Sequence, residues 1–338
     1  PSNSPQMAAP DQPANADLQK FLAAFKVADI VKDKDELFTI SSTSTVEETL
    51  KLLEKKRILS MPVVDEKKKK YVGIVSISDI VIAICFNPCF AKLAKGGTID
   101  DLTREDMEKI ISRSVLKNAV IDLVGVTEEG KNLWTFDEND NMLKLAEYFS
   151  QGVHRALIMR ESGGPCLLSQ TDYARFLCNE VKKSKDKNIE DRLKMSLEKL
   201  GFTGQKGPII SVNDKETALA GFRRLLQWHS FRDWNLAAMP VIDSKSGKII
   251  GNLSESDLRG LNENRLLDLL FVVPMYLKTF YGQMKKPLIA SPETSFGDAL
   301  DKLVESKVHR LWIVDKNEKP IGAFSLSDVI SQFTVFGF

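Results

Sequence analysis

The chain has 338 residues, of which 43% are hydrophobic, and its 47 basic and 46 acidic residues nearly cancel to a net charge of +1. A chain of this length and composition can bury one large core or two medium ones, which excludes wholesale disorder. Because the net charge is so small, no global field draws the protein to nucleic acid or to a membrane surface, and neither is expected as a partner. Any site for an anion must therefore be local.

The first 19 residues lack the apolar segment of a signal peptide and predict a disordered leader. The longest apolar stretch of the chain is far shorter than the roughly 20 residues that a membrane-spanning helix needs. The four cysteines, Cys85, Cys89, Cys166 and Cys178, are too few and too scattered for a disulfide framework. These features favour a protein of the cytoplasm or the nucleus with reduced thiols.

Four repeats occupy the rest of the chain, and each begins with apolar residues at helical spacing. A short apolar run, a polar turn and a second apolar run ending in serine follow, which predicts a strand, a turn and a second strand before a short helix. The first runs and turns are MPVVD and EKKKK, ALIM and ESGGP, MPVID and SKSGK, and LWIVD and KNEKP. We place the repeats at residues 20–100, 131–185, 207–265 and 266–335, with a helical connector at 101–130 and a linker at 186–206.

Each second apolar run ends in the motif Ser-x-x-Asp. The four copies are Ser76 and Asp79, Ser169 and Asp172, Ser254 and Asp257, and Ser325 and Asp328. The residue before each aspartate (Ser78, Thr171, Ser256 and Ser327) is a good N-cap, and an aspartate in the first turn suits the helix dipole, but this leaves the first serine unexplained. Strand ends that face helix starts bind nucleotides in open α/β layers, where serine can reach a phosphate or base and aspartate can accept from ribose hydroxyls. The motif therefore favours a nucleotide site over capping alone.

Repeats two and four also carry a His-Arg pair before their first predicted strand. The pairs are His154-Arg155 and His309-Arg310, where repeats one and three have Leu59-Ser60 and Ala237-Ala238. Arginine offers a planar fork of donors and histidine adds a donor whose charge changes near neutral pH, so the pair suits a phosphate. One such pair is most often a surface or interface feature. Two pairs in register with the Ser-x-x-Asp motif predict phosphate contacts, which the even-numbered repeats would supply to shared sites.

The order helix, MPVVD, turn, VGIVSISD and helix resembles the CBS domain, and all four repeats match it. Four such repeats, with VHR in the second and fourth and SLSD in the fourth, are similar to the γ regulatory subunits of AMP-activated protein kinase and their yeast and plant counterparts. The resemblance implies an α/β fold in which four CBS domains form two Bateman modules, arranged as a pseudo-symmetric disk. It also implies that AMP, ADP or ATP binds between the domains, with its phosphates toward the centre.

The resemblance implies roles for individual residues of the motifs. The ribose hydroxyls would be held by Asp79, Asp257 and Asp328, and by Asp172 at a position where the animal members usually lack an aspartate. The phosphate and other polar groups would be held by Ser76, Ser169, Ser254, Ser325, Ser327, His154, Arg155, His309 and Arg310. The animal members carry a basic residue where Leu59 and Asn235 stand here, and Arg232 and Lys278 are candidates to replace it.

These features predict a non-catalytic protein, because no hydrolase, metalloprotease or kinase signature occurs and no metal site is predicted. By the resemblance, the protein would sense cellular energy by binding adenine nucleotides and would regulate a protein kinase, with catalytic and scaffold subunits completing a heterotrimer. One alternative is an interaction scaffold of the same fold with few or no occupied sites, such as a stress protein that inhibits a phosphatase. Another is the regulatory part of a larger enzyme or channel.

Overall fold

The structure is a computed structural model, and it describes residues 16–32, 34, 37–93, 99–204, 209–229 and 237–334. In this part of the chain each repeat forms one three-stranded sheet. The strands are β1 Ile40–Ser41, β2 Ser60–Asp65, β3 Lys70–Ser76, β4 Thr135–Asp137, β5 Arg155–Met159, β6 Cys166–Ser169, β7 Val212–Asn213, β8 Ala238–Ile242, β9 Ile249–Ser254, β10 Ile289–Ala290, β11 Arg310–Val314 and β12 Pro320–Ser325.

Helices flank these sheets and connect the repeats. The α-helices are α1 Ala16–Ala23, α2 Ala28–Val31, α3 Val46–Lys56, α4 Ile77–Cys85, α5 Arg104–Ser112, α6 Glu128–Lys131, α7 Met142–Ser150, α8 Gln170–Lys183, α9 Lys187–Lys194, α10 Ala218–His229, α11 Val273–Tyr281, α12 Phe296–Ser306 and α13 Leu326–Ser331. Short 3-10 helices cover Pro88–Leu93, Ile99–Asp101, Val115–Lys117, Val120–Leu123, Glu255–Leu258 and Glu263–Leu270. Within the described residues, no helix is long and apolar enough to cross a membrane.

The predicted order of helix, strand, turn, strand and helix is confirmed in every repeat, with a 3-10 helix as the last element of repeat three. Each repeat also has a short strand before its first helix, which the sequence analysis missed. This strand (β1, β4, β7 or β10) pairs in parallel with the middle strand, and the middle strand pairs antiparallel with the last one. Two or three residues are too few to show an alternating pattern, so hydrophobic periodicity could not reveal these strands.

The helices pack in alternate pairs of repeats, so that repeat one packs against repeat three and repeat two packs against repeat four. In the first pair, α4 packs against α10 and the 3-10 helix Glu255–Leu258. In the second pair, α7 and α8 pack against α13, and α8 also packs against α12. Repeats three and four meet through their sheets as well, because Trp312 Nε1 donates to Asn252 Oδ1 at 3.0 Å.

Three predicted boundaries differ from the structure because apolar side chains extend the cores beyond the repeats. Helix α1 begins at Ala16, and Leu18 is buried, so residues 16–19 do not belong to a disordered leader. Residues 266–281 were assigned to repeat four, but Leu266 and Tyr276 are buried in the core of repeats one and three. The predicted linker also contributes to a core, since Ile189 is buried with repeats two and four.

Candidate functional site

The Ser-x-x-Asp motifs lie where the last strand of each repeat passes into the next helix, as predicted. The N-cap is the first serine of the motif in every repeat. Its backbone N–H and Oγ donate to Oδ2 of the aspartate, and together they form a capping box, which stabilises a helix start. The prediction that Ser78, Thr171, Ser256 and Ser327 are the N-caps is therefore wrong, and capping does explain the first serine.

In repeats one and three the second oxygen of the aspartate is also occupied. Oδ1 of Asp79, a residue with no exposed surface, accepts hydrogen bonds from Thr127 N at 2.9 Å and Thr127 Oγ1 at 2.8 Å. Oδ1 of Asp257 accepts one from Tyr281 Oη at 2.6 Å. Burial raises the pKa of both carboxyls. Their role as ribose ligands stays a prediction, and it would require Thr127 and Tyr281 to move.

In repeats two and four the aspartates are only partly buried. Oδ2 of Asp328 accepts from Ser325, and Oδ2 of Asp172 accepts from Ser169 and forms an ion pair with Lys34 Nζ at 2.6 Å. Within the described part of the chain, Oδ1 of neither aspartate accepts a hydrogen bond. Burial opposes the ionised form of Asp172, but Lys34 and Ser169 outweigh burial and lower its pKa. For Asp328 burial prevails and raises the pKa.

Each His-Arg pair lies beside the Ser-x-x-Asp motif of its own repeat, as the register of the repeats predicted. Arg155 and Arg310 are the first residues of β5 and β11, and they pair across the sheet with Ser169 and Ser325 respectively. The histidine before each arginine uses its carbonyl oxygen to accept the N–H of the first helical residue, at 3.0 Å in both repeats. The fold therefore brings the predicted phosphate and ribose ligands of repeats two and four together.

The pair in repeat four also reaches two other repeats. Arg310 Nη1 donates to the carbonyl oxygen of Ala238 in repeat three at 2.8 Å. Ala238 is the residue that occupies the arginine position of its own repeat. His309 Nε2 lies 3.2 Å from Thr171 Oγ1 in repeat two. Arg310 thus places a positive charge beside a repeat that has no basic residue of its own at this position.

Positive charge accumulates around His309, which is exposed to solvent. The surrounding protein removes part of its hydration, and this loss, together with repulsion from Arg155, His154, Arg259 and Arg310, lowers the pKa of His309 to about 4. Burial lowers the pKa of Arg310 as well, while Asp328 and Glu255 oppose that shift. A bound anion would relieve the repulsion among these basic groups and favour the protonated form of His309, so the cluster suits an anion.

Two further charged residues lie near His309 and Arg310 and were not predicted from the sequence, namely Arg259 and Glu255. Arg259 lies two residues after the motif aspartate of repeat three, and an alignment of the four repeats would have shown that the corresponding positions Val81, Ala174 and Ile330 are apolar. Ser327, a predicted ligand, accepts a hydrogen bond from Gln170 Nε2 of repeat two at 3.1 Å. Lys278 is exposed in the last turn of α11, whereas Arg232 and Asn235 lie outside the described residues.

The described residues contain no group of three His, Cys, Asp or Glu side chains that could hold a metal ion. Burial raises the pKa of the Cys85 thiol to about 12, and Arg223 reduces that shift. All four cysteines are free thiols; three of them are buried and Cys89 is half-buried.

Comparison with known proteins supports the fold and the repeats. A model of the CBS domain matches residues 27–85 and 280–334. The SNF1-related protein kinase regulatory subunit gamma-like PV42a of Arabidopsis thaliana is 23% identical over 293 residues, which cover 78% of this chain and 75% of that protein. The 5'-AMP-activated protein kinase subunit gamma of Dictyostelium discoideum is 23% identical over 317 residues, which cover 92% of this chain and 52% of that protein.

A solved structure shows the same fold over nearly the whole chain. The crystal structure of protein MJ1225 from Methanocaldococcus jannaschii superposes with a TM-score of 0.65 at 20% identity, over 92% of this chain and 100% of that one. Two segments of the chain, in its first and last repeats, therefore match the CBS domain, and the four small sheets with their helices have the fold of that solved structure. In sequence it is similar to the γ-like regulatory subunits of SNF1-related and AMP-activated protein kinases.

Proposed function

We propose that this protein is a non-catalytic regulatory subunit that binds AMP, ADP or ATP mainly through repeats two and four. The observation that carries the proposal is the position of His309 and Arg310 beside Asp328, whose Oδ1 accepts no hydrogen bond among the described residues. A ribose offers vicinal hydroxyls as donors, and its phosphate offers charged acceptors. An available carboxylate oxygen and an arginine fork complement these two parts of one nucleotide.

Nucleotide binding at this site would act on the arrangement of the repeats. His309 contacts Thr171 of repeat two, and Arg310 contacts Ala238 of repeat three. A phosphate that takes over either contact changes a hydrogen bond between repeats. A ligand that prefers one arrangement shifts the population toward it, and a bound partner responds to that shift.

The partner we propose is a protein kinase, with catalytic and scaffold subunits completing a heterotrimer. The names of two relatives support a kinase partner, since the Arabidopsis protein is named a gamma-like kinase regulatory subunit and the Dictyostelium protein a kinase subunit gamma. The cytoplasm and the nucleus are the compartments in which such an assembly would be sought.

Calorimetric titration of the purified chain with AMP, ADP and ATP tests nucleotide binding. We expect a dissociation constant below about 1 mM, which corresponds to about 4 kcal/mol of binding free energy, for at least one of the three. No heat of binding below that concentration, from protein that melts cooperatively, would contradict energy sensing. It would favour the scaffold alternative, which agrees with the hydrogen bonds that the chain itself makes to the carboxylates of repeats one and three.

Mass spectrometry of proteins that co-purify from cell extract would then distinguish a kinase partner from a phosphatase partner.

A further inference from the structure

Lys34, which lies between helix α2 and the first strand of repeat one, contacts the motif aspartate of repeat two. Its Nζ forms the ion pair with Asp172 Oδ2 at 2.6 Å. The side chain of Lys34 keeps 27% of its surface exposed and that of Asp172 keeps 17%, so solvent reaches both partners. Within the described part of the chain, Asp172 is the one acceptor that the ammonium contacts. Since an ammonium has three N–H donors, others remain for a ligand.

The backbone around Lys34 is fixed on repeat two by contacts other than this ion pair. Arg160 Nη1 of repeat two donates to the carbonyl oxygens of Val31 and Lys34, each at 3.2 Å. Val27 N donates to the carbonyl oxygen of Asp140 at 2.9 Å, and Val31 is buried in the core of repeats two and four. The ion pair is therefore not needed to dock α2, and the ammonium is held at the aspartate by its own backbone.

The contact at Asp172 differs from the corresponding contacts in repeats one and three. In those repeats Thr127 and Tyr281 are neutral donors, and they bind Oδ1 of the aspartate, the oxygen that the capping serine does not use. Lys34 is a cation and binds Oδ2, the oxygen that Ser169 also contacts. Lys34 thus lies beside Oδ1 of Asp172 without donating to it.

A carboxylate and an ammonium side by side complement a ribose better than a carboxylate alone. Each ribose hydroxyl has one O–H donor and two lone pairs, whereas an ionised carboxylate can only accept. Because both oxygens belong to one carboxylate, the ammonium on Oδ2 is within reach of a hydroxyl that donates to Oδ1. Asp172 would then accept from the ribose while Lys34 donates to it, and hydrogen bonds with a charged partner are roughly twice as strong as neutral ones.

We propose that Lys34 is a ribose-binding residue of the repeat two site and that, together with Asp172, it makes this site select ribonucleotides over deoxyribonucleotides. This inference rests on the proposed nucleotide-binding function and adds to it a residue that determines which sugar is bound. A sugar that lacks the bonded hydroxyl leaves a polar group of the site unpaired, and this loss gives the selectivity. Since Lys34 follows α2, nucleotide binding also stabilises the docking of α2 on repeat two.

The test measures the dissociation constants of AMP, 2′-deoxy-AMP and 3′-deoxy-AMP by calorimetric titration. The three ligands carry the same phosphate, so the ratio of their constants reports the sugar, and any effect of net charge cancels. The variants are made in the Asp328→Ala protein, in which repeat two keeps its aspartate and its His-Arg pair.

We expect Lys34→Met to reduce the preference for AMP over one of the deoxynucleotides by about tenfold, the value of one hydrogen bond to a charged group. Lys34→Arg should keep most of the preference, because it retains a charged donor. Lys32→Met is the matched control, since Lys32 is an exposed lysine two residues away, and it should leave the preference unchanged.

The outcomes separate this inference from the proposed function. If the native protein and all variants bind none of the nucleotides, the proposed function fails and the role of Lys34 fails with it. If Lys34→Met binds AMP with the full preference, or loses affinity for all three ligands equally, only the role of Lys34 is overturned. Tighter binding of AMP by Lys34→Met would also overturn it, because Lys34 would then compete with the ribose for Asp172.

Hydrogen exchange in the chain without the Asp328→Ala change gives a second readout that does not depend on that variant. The amides of Ile30, Val31 and Lys32 donate to carbonyl oxygens of residues 27 and 28 in α2. We expect AMP to slow the exchange of these amides in the native protein and not in Lys34→Met. Equal slowing in both proteins, or none in native protein that binds AMP, would contradict a role of Lys34 in the site.

Discussion

Repeats one and three share the Ser-x-x-Asp capping box with repeats two and four, but they differ in what contacts the other carboxylate oxygen. In repeats one and three, Thr127 and Tyr281 donate to it. In repeats two and four no described residue does, and a His-Arg pair lies alongside. From this comparison we expect that the motif alone does not make a ligand site. We expect such a site to need, in addition, a carboxylate oxygen that the chain leaves uncovered and a nearby cation, and the described residues bring these two together in repeats two and four.

Capping and ligand binding do not compete for the same atom. In every repeat the serine contacts Oδ2, so the aspartate can stabilise the helix start with one oxygen and keep the other for a ribose. In repeat one the chain itself covers Oδ1, so a ribose could reach that oxygen only if Thr127 moved. Gly130 contributes to this cover, since a Cβ at its position would lie 3.0 Å from Asp79 Oδ1. Glycine thus permits a close approach of the backbone to the carboxylate.

The comparison predicts its largest effect for Asp79→Ala. This change removes a capping box and leaves the Thr127 donors without a partner in a buried place, so we expect the free energy of unfolding to fall by about 2 to 4 kcal/mol. Nucleotide affinity of the folded protein should stay unchanged. Urea denaturation and calorimetric titration measure the two effects.

The matched change Asp328→Ala should instead lower the affinity for adenosine and AMP. If Asp79→Ala and Asp328→Ala lost the same affinity, the proposed difference in ligand binding between repeat one and repeat four would be wrong.

Arg310→Ala should weaken AMP binding by about 1.5 to 3 kcal/mol, or roughly tenfold to a hundredfold, because it removes a charged donor from the phosphate. Arg104→Ala is the control, since it removes the same charge from helix α5, between repeats one and two. Arg104 is exposed, and its Nε donates to Glu108 Oε1 at 3.0 Å. Titration calorimetry at constant ionic strength measures both dissociation constants. If the two variants weaken binding equally, the effect reflects net charge and not a phosphate contact.

The elements of the fold were predictable because each repeat carries an amphipathic helix and two apolar runs that end at turn residues. The His-Arg pairs were predictable because they occur in register with the motif. The hydrogen bonds that Oδ1 of Asp79 and of Asp257 accepts were not predictable. Their donors, Thr127 and Tyr281, are 48 and 24 residues away in sequence, and no repeat pattern connects them to the aspartates. The predicted N-caps lie two residues too late in the sequence because serine or threonine occupies both positions in every motif. Only the backbone conformation distinguishes them.

Tyr281→Phe tests whether the hydrogen bond from Tyr281 to Asp257 is all that keeps a nucleotide from binding at repeat three. The change removes the donor to Asp257 Oδ1 and should lower the free energy of unfolding by about 1 to 2 kcal/mol. We expect the number of bound nucleotides to stay the same, because Asp257 remains only 6% exposed. Tyr276→Phe is the control, since Tyr276 Oη donates to the backbone carbonyl of Asp257 at 2.9 Å. An additional nucleotide in Tyr281→Phe but not in Tyr276→Phe would show that Tyr281 alone keeps the site closed.

The smallest expected effect is a pH dependence that comes from His309. Its pKa is about 4 in the folded protein and 6.5 as an ordinary value, so the unfolded chain takes up a proton between these pH values and the folded protein does not. The contribution of His309 to stability is therefore lost as the pH falls below 6.5. The groups that face it, Arg155, His154, Arg259 and Arg310, repel its charged form and remain present in the variant.

His309→Asn should reduce this loss of stability, since asparagine does not titrate. The melting temperatures of the native protein and of the variant at pH 7 and pH 5 measure the difference. The buried carboxyls with raised pKa values act in the opposite direction, because they favour the folded state as the pH falls, and they act equally in both proteins. Bound AMP should bring the native protein closer to the variant, because a phosphate beside His309 favours its protonated form. If the melting temperatures of both proteins change equally between pH 7 and pH 5, with and without AMP, His309 does not contact the phosphate. Arg310 would then be the one member of its His-Arg pair that binds phosphate.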